Sequence, residues 1–361
     1  MISRGDDYPL HQTARPVHEP ATTDRNFYDR FFFNGYSPDG SVFFAAALGV
    51  YPNLGVMDAA FGVVHDGMQT NVRASRLLGE DRLDTRVGPV QVEIVEPLRR
   101  LRLRVRHRAS GVRADLLFTA RGPAIEEPPY LITRGARRVA EMTRLTQHAS
   151  WSGTISVNRG LHTADGWWGC RDRSWGVRPV GERIPGGAPL GEPQYHSLWA
   201  PVNFADLLVH ADRHDDGDGV PWHSFGVTAA PGAAVATRAQ AVDWKIAYRP
   251  GTRHAAGAAL TLTPVAGRPL AVELTPLYAF QMQGIGYGHP TWGHGMYVGP
   301  DEATCDSAQL VDVDETLPLH QHIQAVCTAR AGRRRGIGTL EMLIWGRHTP
   351  SGFRELLDMA P

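Results

Sequence analysis

Short apolar runs separated by Gly, Pro and Asp turn signals recur along most of the chain. The clearest is 101–106, where Leu101, Leu103 and Val105 alternate with Arg102, Arg104 and Arg106. A period of two places the apolar residues on one face and the arginines on the other, which predicts a half-buried strand. VRADLLFTAR, just downstream, repeats the style. Upstream, FYDRFFFNGYSPDGSVFFAAALGVYPN carries aromatic runs around NG and PDG, read as strand–turn–strand. FGVVHDGMQTNVRASRLL forms a second pair around HDG, since Asp-Gly favours a type I′ hairpin. TRLTQHASWSGTISVN reads as two strands with a Ser-Gly turn.

The second half keeps the pattern. YHSLWAPVNFADLLVHADRHDDGDGVPWHSFGV reads as strand, hairpin with an acidic loop, strand. Three more strands follow around PG and AGRP turns, and GIGTLEMLIWGRH gives another. Only 134–145, 301–306 and 353–359 look helical. Many short strands with Gly/Pro turns predict an all-β protein of barrels or sandwiches. The Gly- and Pro-rich stretch VRPVGERIPGGAPLGEPQ is the predicted linker. It divides the chain into β-barrel-like domains at 1–182 and 190–361. Barrels of this kind remove edge strands and can enclose an apolar ligand.

Composition narrows the function classes. Apolar residues make up 42% of the 361, enough for a sizeable core, and 37 basic residues balance 37 acidic ones. That balance gives no field for nucleic acid. Lys245 is the sole lysine. No apolar stretch is long enough for a membrane span, and the N-terminal segment lacks the apolar core of a signal peptide. Cys170, Cys305 and Cys327 have no C-x-x-C spacing, so free thiols in a reducing cytoplasm are expected.

Two stretches are dense in costly residues. WWGCRDRSWG, 167–176, sets Asp172 between Arg171 and Arg173. Burial among aromatics would raise the Asp172 carboxyl and suit it to act as an acid, whereas the arginines would lower it. The alternative is a clamp, with Asp172 holding one arginine and Trp175 packed in the core. YGHPTWGHGMYVG, 287–299, holds Tyr287, His289, Trp292, His294 and Tyr297. Five residues separate the histidines, which puts them on opposite faces of a strand. No third ligand is near in sequence, so no metal is expected. His65, in the HDG turn, and Tyr195 and His196, beside the linker, are further candidates for lining a ligand site. ADRHDDGDG lacks calcium-loop spacing and reads as a solvated hairpin tip. Glu341, among apolar residues, is either solvent-facing or buried with a partner such as a nearby arginine. There is no G-x-S-x-G elbow, no P-loop and no H-E-x-x-H, and GIGYGH lacks the last glycine of a dinucleotide fingerprint.

RDRSWGVR followed by GYGHPTWGHG, with YPNLGVMDAA and WSGTISVN before them, resembles two-domain lipocalin-like bacterial proteins related to the carotenoid hydratase (hydroxyneurosporene synthase) family. The resemblance covers most of the chain. Where those hydratases carry a His-Asp-x-Asn-Trp-Gly string, this chain keeps Asp172, Trp175 and Gly176 and changes the rest. The resemblance implies two consecutive lipocalin-like barrels, a pocket near their junction, apolar and often isoprenoid ligands, and no cofactor. The chemistry expected is acid-initiated hydration or dehydration, or cyclisation or isomerisation, of a hydrophobic alkene or alcohol. Asp172 would be the acid or its orienter, with Trp175 and Trp292 as an aromatic wall. His289, His294 and Tyr195 would position water or a hydroxyl. A non-catalytic carrier of a hydrophobic small molecule is the alternative.

Overall fold

The computed structural model describes residues 9–158, 160–182 and 191–361. Among these there is no α-helix, only short 3-10 turns between strands. A first sheet of fourteen strands rolls into a nearly closed barrel, and a second of nine forms a half-barrel. The fold is all-β, with two lipocalin-like barrel domains. The first sheet takes the strands up to Trp167–Val177 and the second begins at Tyr195–Phe204. One later strand, Asp301–Gln309, crosses back to pair with Met68–Leu77 of the first sheet. Most of the predicted linker, 183–190, lies outside the described residues.

The strand Arg100–Arg106 buries Leu101, Leu103 and Val105 and turns its arginines outward, as the alternation requires. Asp66 (φ +51°) and Gly67 (φ +71°) form the hairpin turn expected of HDG. Three helical expectations fail. Residues 137–145 belong to the strand Arg137–Val157, 301–306 to Asp301–Gln309, and 354–359 are irregular, with bends at 355–357. Weak helix propensity loses there to available ladder partners. The Ser-Gly turn also fails, because Gly153 lies inside the 21-residue strand. Its φ of +121° lets the backbone pass where a Cβ would strike the Asp115 carbonyl oxygen. Asn34-Gly35 is likewise mid-strand rather than a turn.

The first barrel is solid inside. Trp151 meets Phe33, Phe44 and Phe118 edge-on at centroid distances of 5.1–6.0 Å, and Phe44 stacks on Phe61 at 5.7 Å. Leu198, Leu260, Leu340 and Met342 anchor the core of the second sheet. A third apolar layer joins the two sheets through Phe32, Tyr36, Phe43, Trp199, Phe280 and Ile337. Buried hydrogen bonds cross the same layer. Asn34 donates to Gln324 Oε1 at 3.1 Å, and Asn203 donates to the Tyr36 hydroxyl at 2.7 Å. Each such group would be costly to bury without its partner.

Candidate active site between the two sheets

Antiparallel partners point to the same face of a sheet, so register alone assembles two walls. On the first sheet, Arg30, Ser174 and Arg144 form one row, and Phe32, Asp172 and Thr146 the next. On the second sheet, Asp212, Trp199, Glu341 and Gln324 form a row across four strands. His223, His214, Ser197, Leu343 and His322 form the row beside it. Phe32 meets Trp199 edge-on at 6.3 Å, which shows that these faces oppose each other.

Asp172 is half-buried and has no hydrogen-bond or ion-pair partner among the described residues. Burial pushes its carboxyl up to about 6, against the pull of Arg144 and Arg30; the charges of Glu127 and Glu341 add to the rise. Neither adjacent arginine clamps it. Arg171 lies on the opposite face and donates to Gln147 Oε1 at 2.8 and 3.0 Å. Arg173 pairs with Asp29 and covers the Phe31 ring.

Glu341 is tied down differently. His322 Nε2 lies 2.8 Å from Oε1 and Gln324 Nε2 2.6 Å from Oε2. Burial opposes its ionisation, but these contacts hold the carboxyl below its ordinary value. Its partners are thus a histidine and an amide; Arg334 and Arg347 pair elsewhere, with Asp206 and Asp218.

A second cluster bridges the two sheets. Arg144 spans Glu127 (2.5 Å) and Asp212 (2.6 Å) and also bonds the Tyr130 hydroxyl. His210 lies 3.1 Å from Glu127; His214 and His223 lie 3.0 and 3.2 Å from Asp212. Burial opposes ionisation of both carboxyls, but Arg144 and the histidines outweigh it and hold both below their ordinary values. Glu127, Asp212 and His223 have a ligand-like arrangement. The Arg144 guanidinium already supplies the cation there.

Arg30 completes the first wall. It is 2% exposed, its Nε and Nη2 lack partners, and its guanidinium sits 4.8 Å from the Tyr287 ring centroid. Tyr287 lies between His294 (4.3 Å) and His322 (4.4 Å). His294 Nε2 is 3.1 Å from the Ile285 carbonyl oxygen, and burial with Arg30 and Arg178 holds its ring neutral. Tyr195 packs against His214 at 5.8 Å, its hydroxyl pushed up to about 12 by burial.

The structure therefore brings Asp172, Tyr195, Tyr287 and His294 to the layer between the two sheets. Trp292 backs His294 across a void of about 10 Å³, no larger than a water. The other sequence candidates lie elsewhere. Trp175 is three residues from Asp172, hence on the opposite face, and is 38% exposed rather than packed in a core. His289 Nδ1 accepts the Thr291 and Trp292 amides, and its ring faces Arg73 and Asp306. His65 packs against His162 at a hairpin end, centroids 4.3 Å apart with 56° between the ring planes. His196 points to the far side of the second sheet. The acidic run does end in a hairpin tip with Asp216 and Asp218 exposed, but Asp212, His214 and Asp215 are buried in the strand Leu208–Asp215. The alternation His210-x-Asp212-x-His214 was the signal for that face. Nothing local marked Arg30, Glu127 or Arg144.

The chain belongs to a family of unknown function (DUF8625), whose model matches residues 2–354. No curated protein matches it in sequence. A protein from Nitrosomonas europaea provisionally described as AttH shares the fold with a TM-score of 0.55 and 13% identity, over 93% of this chain and 98% of its own. CghA, crystallised with Sch210972, gives a TM-score of 0.53 at 12% identity, over 89% of each chain. At these identities the likeness is one of fold.

Proposed function

We propose that the cleft is the active site of an acid–base enzyme of the hydratase–dehydratase type, with cyclisation or isomerisation as variants of the same chemistry. The observation that carries this reading is the split between two carboxyls of opposite walls. Asp172 has no hydrogen-bond partner among the described residues and is raised to about 6, so it can give a proton below that value; Glu341, held by His322 and Gln324, is lowered and can take one. In the dehydration direction Glu341 removes a proton from the carbon beside a carbonyl. Asp172 gives its proton to the departing hydroxyl, which leaves as water. A double bond forms, and hydration is the reverse.

The walls refine the substrate. A hydrocarbon cation gains nothing beside Arg30, Arg144 and Arg178. The unpartnered Nε and Nη2 of Arg30 suit an oxygen that becomes negative in the transition state. The proposed substrate is thus an apolar molecule, isoprenoid or otherwise, carrying a carbonyl beside the reacting bond. Phe32, Trp199 and Tyr287 supply its apolar contacts. No resident cofactor enters this chemistry. A fold neighbour crystallised with the small molecule Sch210972 is consistent with a small organic ligand here.

Solvent-deuterium incorporation into a panel of β-hydroxy and α,β-unsaturated ketones, followed by mass spectrometry, tests the reading. Wild type is expected to exchange the carbon-bound hydrogen of some member, and Asp172→Asn to bind it without turnover. Tight binding with no wild-type exchange would instead establish the carrier alternative.

A further inference from the structure

On the far face of the second sheet, away from the cleft, His196, Asp215 and His348 converge. All three are buried, at 4, 2 and 4% exposure. His196 Nδ1 lies 3.7 Å and His348 Nε2 3.5 Å from the same oxygen, Oδ2 of Asp215. Both ring nitrogens lack a hydrogen-bond partner. Two buried imidazole nitrogens thus flank one carboxylate oxygen, which also accepts from Arg213 Nε at 2.9 Å, and the three side chains each offer one ligand atom to a common point.

We propose that these three residues bind a divalent first-row transition-metal ion, zinc being the simplest. Bond lengths of about 2.0–2.1 Å put neighbouring tetrahedral ligands roughly 3.3–3.4 Å apart, against 3.7 and 3.5 Å from the two ring nitrogens to Oδ2. Two imidazoles and one carboxylate form a ligand set for this class of ion. The other ring nitrogens are held as metal-binding histidines require. His348 Nδ1 is 2.7 Å from the Ser351 hydroxyl, which is 2.8 Å from the Tyr248 hydroxyl, itself 3.4 Å from His196 Nε2. One hydroxyl pair thus orients both rings. Arg213 holds Asp215 through Nε at 2.8 and 2.9 Å, fixing the carboxylate.

The imidazoles stack at 3.7 Å with 15° between their planes. An ion taking both lone pairs turns each ring about its Cβ–Cγ bond, and the freely rotating hydroxyls follow. Three protein ligands leave a position for water or a small anion. That position faces a groove of about 400 Å³ with Lys245 and Arg213 on its rim, which favours an anion. This proposal departs from the expectation that the protein holds no metal, which rested on the lack of a third ligand near His289 and His294. Glu127, Asp212 and His223 form the competing cluster, already filled by Arg144.

The test is equilibrium dialysis of the full chain against zinc, with metal content by mass spectrometry, and the visible spectrum of the cobalt-loaded protein. Wild type is expected to retain one ion per chain and to show tetrahedral cobalt bands. His348→Ala and His196→Ala should lose the ion, Ser351→Ala should weaken binding by about tenfold or more, and His223→Ala should keep it. Circular dichroism checks each fold. If His348→Ala does not fold, Ser351→Ala and the wild-type cobalt spectrum decide. No retained zinc in wild type, no cobalt bands, or loss of zinc only with His223→Ala would each overturn the proposal.

Discussion

Arg144 Nη2 lies 2.6 Å from Asp212 Oδ2, although the two residues belong to different sheets. The same guanidinium holds Glu127, so one arginine neutralises two buried carboxylates and ties the half-barrel to the first barrel. Removing it strands both charges. Arg144→Ala should cost about 3–5 kcal/mol in chemical denaturation. Stability from Asp212 and Glu127, whose carboxyls are depressed by the fold, is present above their unfolded values and lost as pH falls through the folded ones. Wild type should therefore show an acid-unfolding limb that Arg144→Ala lacks.

The first barrel is packed with Phe33, Phe44, Phe118 and Trp151, so the proposed ligand site lies in the layer between the sheets. Phe44→Ala and Trp151→Ala should each destabilise by about 3–5 kcal/mol. Ligand affinity, measured well below the melting temperature, should stay unchanged. A tenfold loss of affinity in either folded variant would place the ligand inside the barrel instead.

How much of this was legible in sequence depended on whether a residue's partner was local. Leu101 to Arg106 announced itself because one face is wet, so the alternation is visible. Asn34-Gly35 misled because its dipeptide is common in turns, while Asn34 spends its amide on Gln324, 290 residues away. The run 211–219 misled by its acidity in its first half, where Asp212 and His214 continue the face begun by His210. Asp172 was found from its surroundings, but Arg30 and Arg144 become its neighbours only through strand register. Trp175 shared the motif and lost its role to parity.

The pH dependence of turnover follows from the same two walls. Asp172 is raised to about 6, so the proton donor is lost as pH rises through that value. Glu341 is held below its ordinary 4.5, so the base is lost only below that. Turnover should be bell-shaped between these limits. Arg30 lowers the Asp172 carboxyl, so Arg30→Met should move the upper limb to higher pH while weakening substrate binding. An unmoved upper limb in Arg30→Met would mean that Asp172 is not the donor.

Asp172→Asn separates an active-site acid from a structural clamp by the sign of its effect on stability. A clamp that loses its charge leaves a buried arginine uncompensated and costs about 3–5 kcal/mol. Asp172, however, has no hydrogen-bonded partner to abandon, and Arg171 and Arg173 are satisfied by Gln147 and Asp29. Its carboxyl is raised from an ordinary 3.8 to about 6, so the fold favours the protonated form. That preference stabilises fully below 3.8 and is lost as pH rises through about 6. Above pH 7 the ionised carboxylate is a burden of at most about 3 kcal/mol. The neutral amide relieves it. Asp172→Asn should therefore melt higher than wild type at pH 8, converge with it near pH 4, and lose turnover at both. A variant that melts lower at pH 8 would show that the fold depends on the charge, and the acid would have to be sought elsewhere in the cleft.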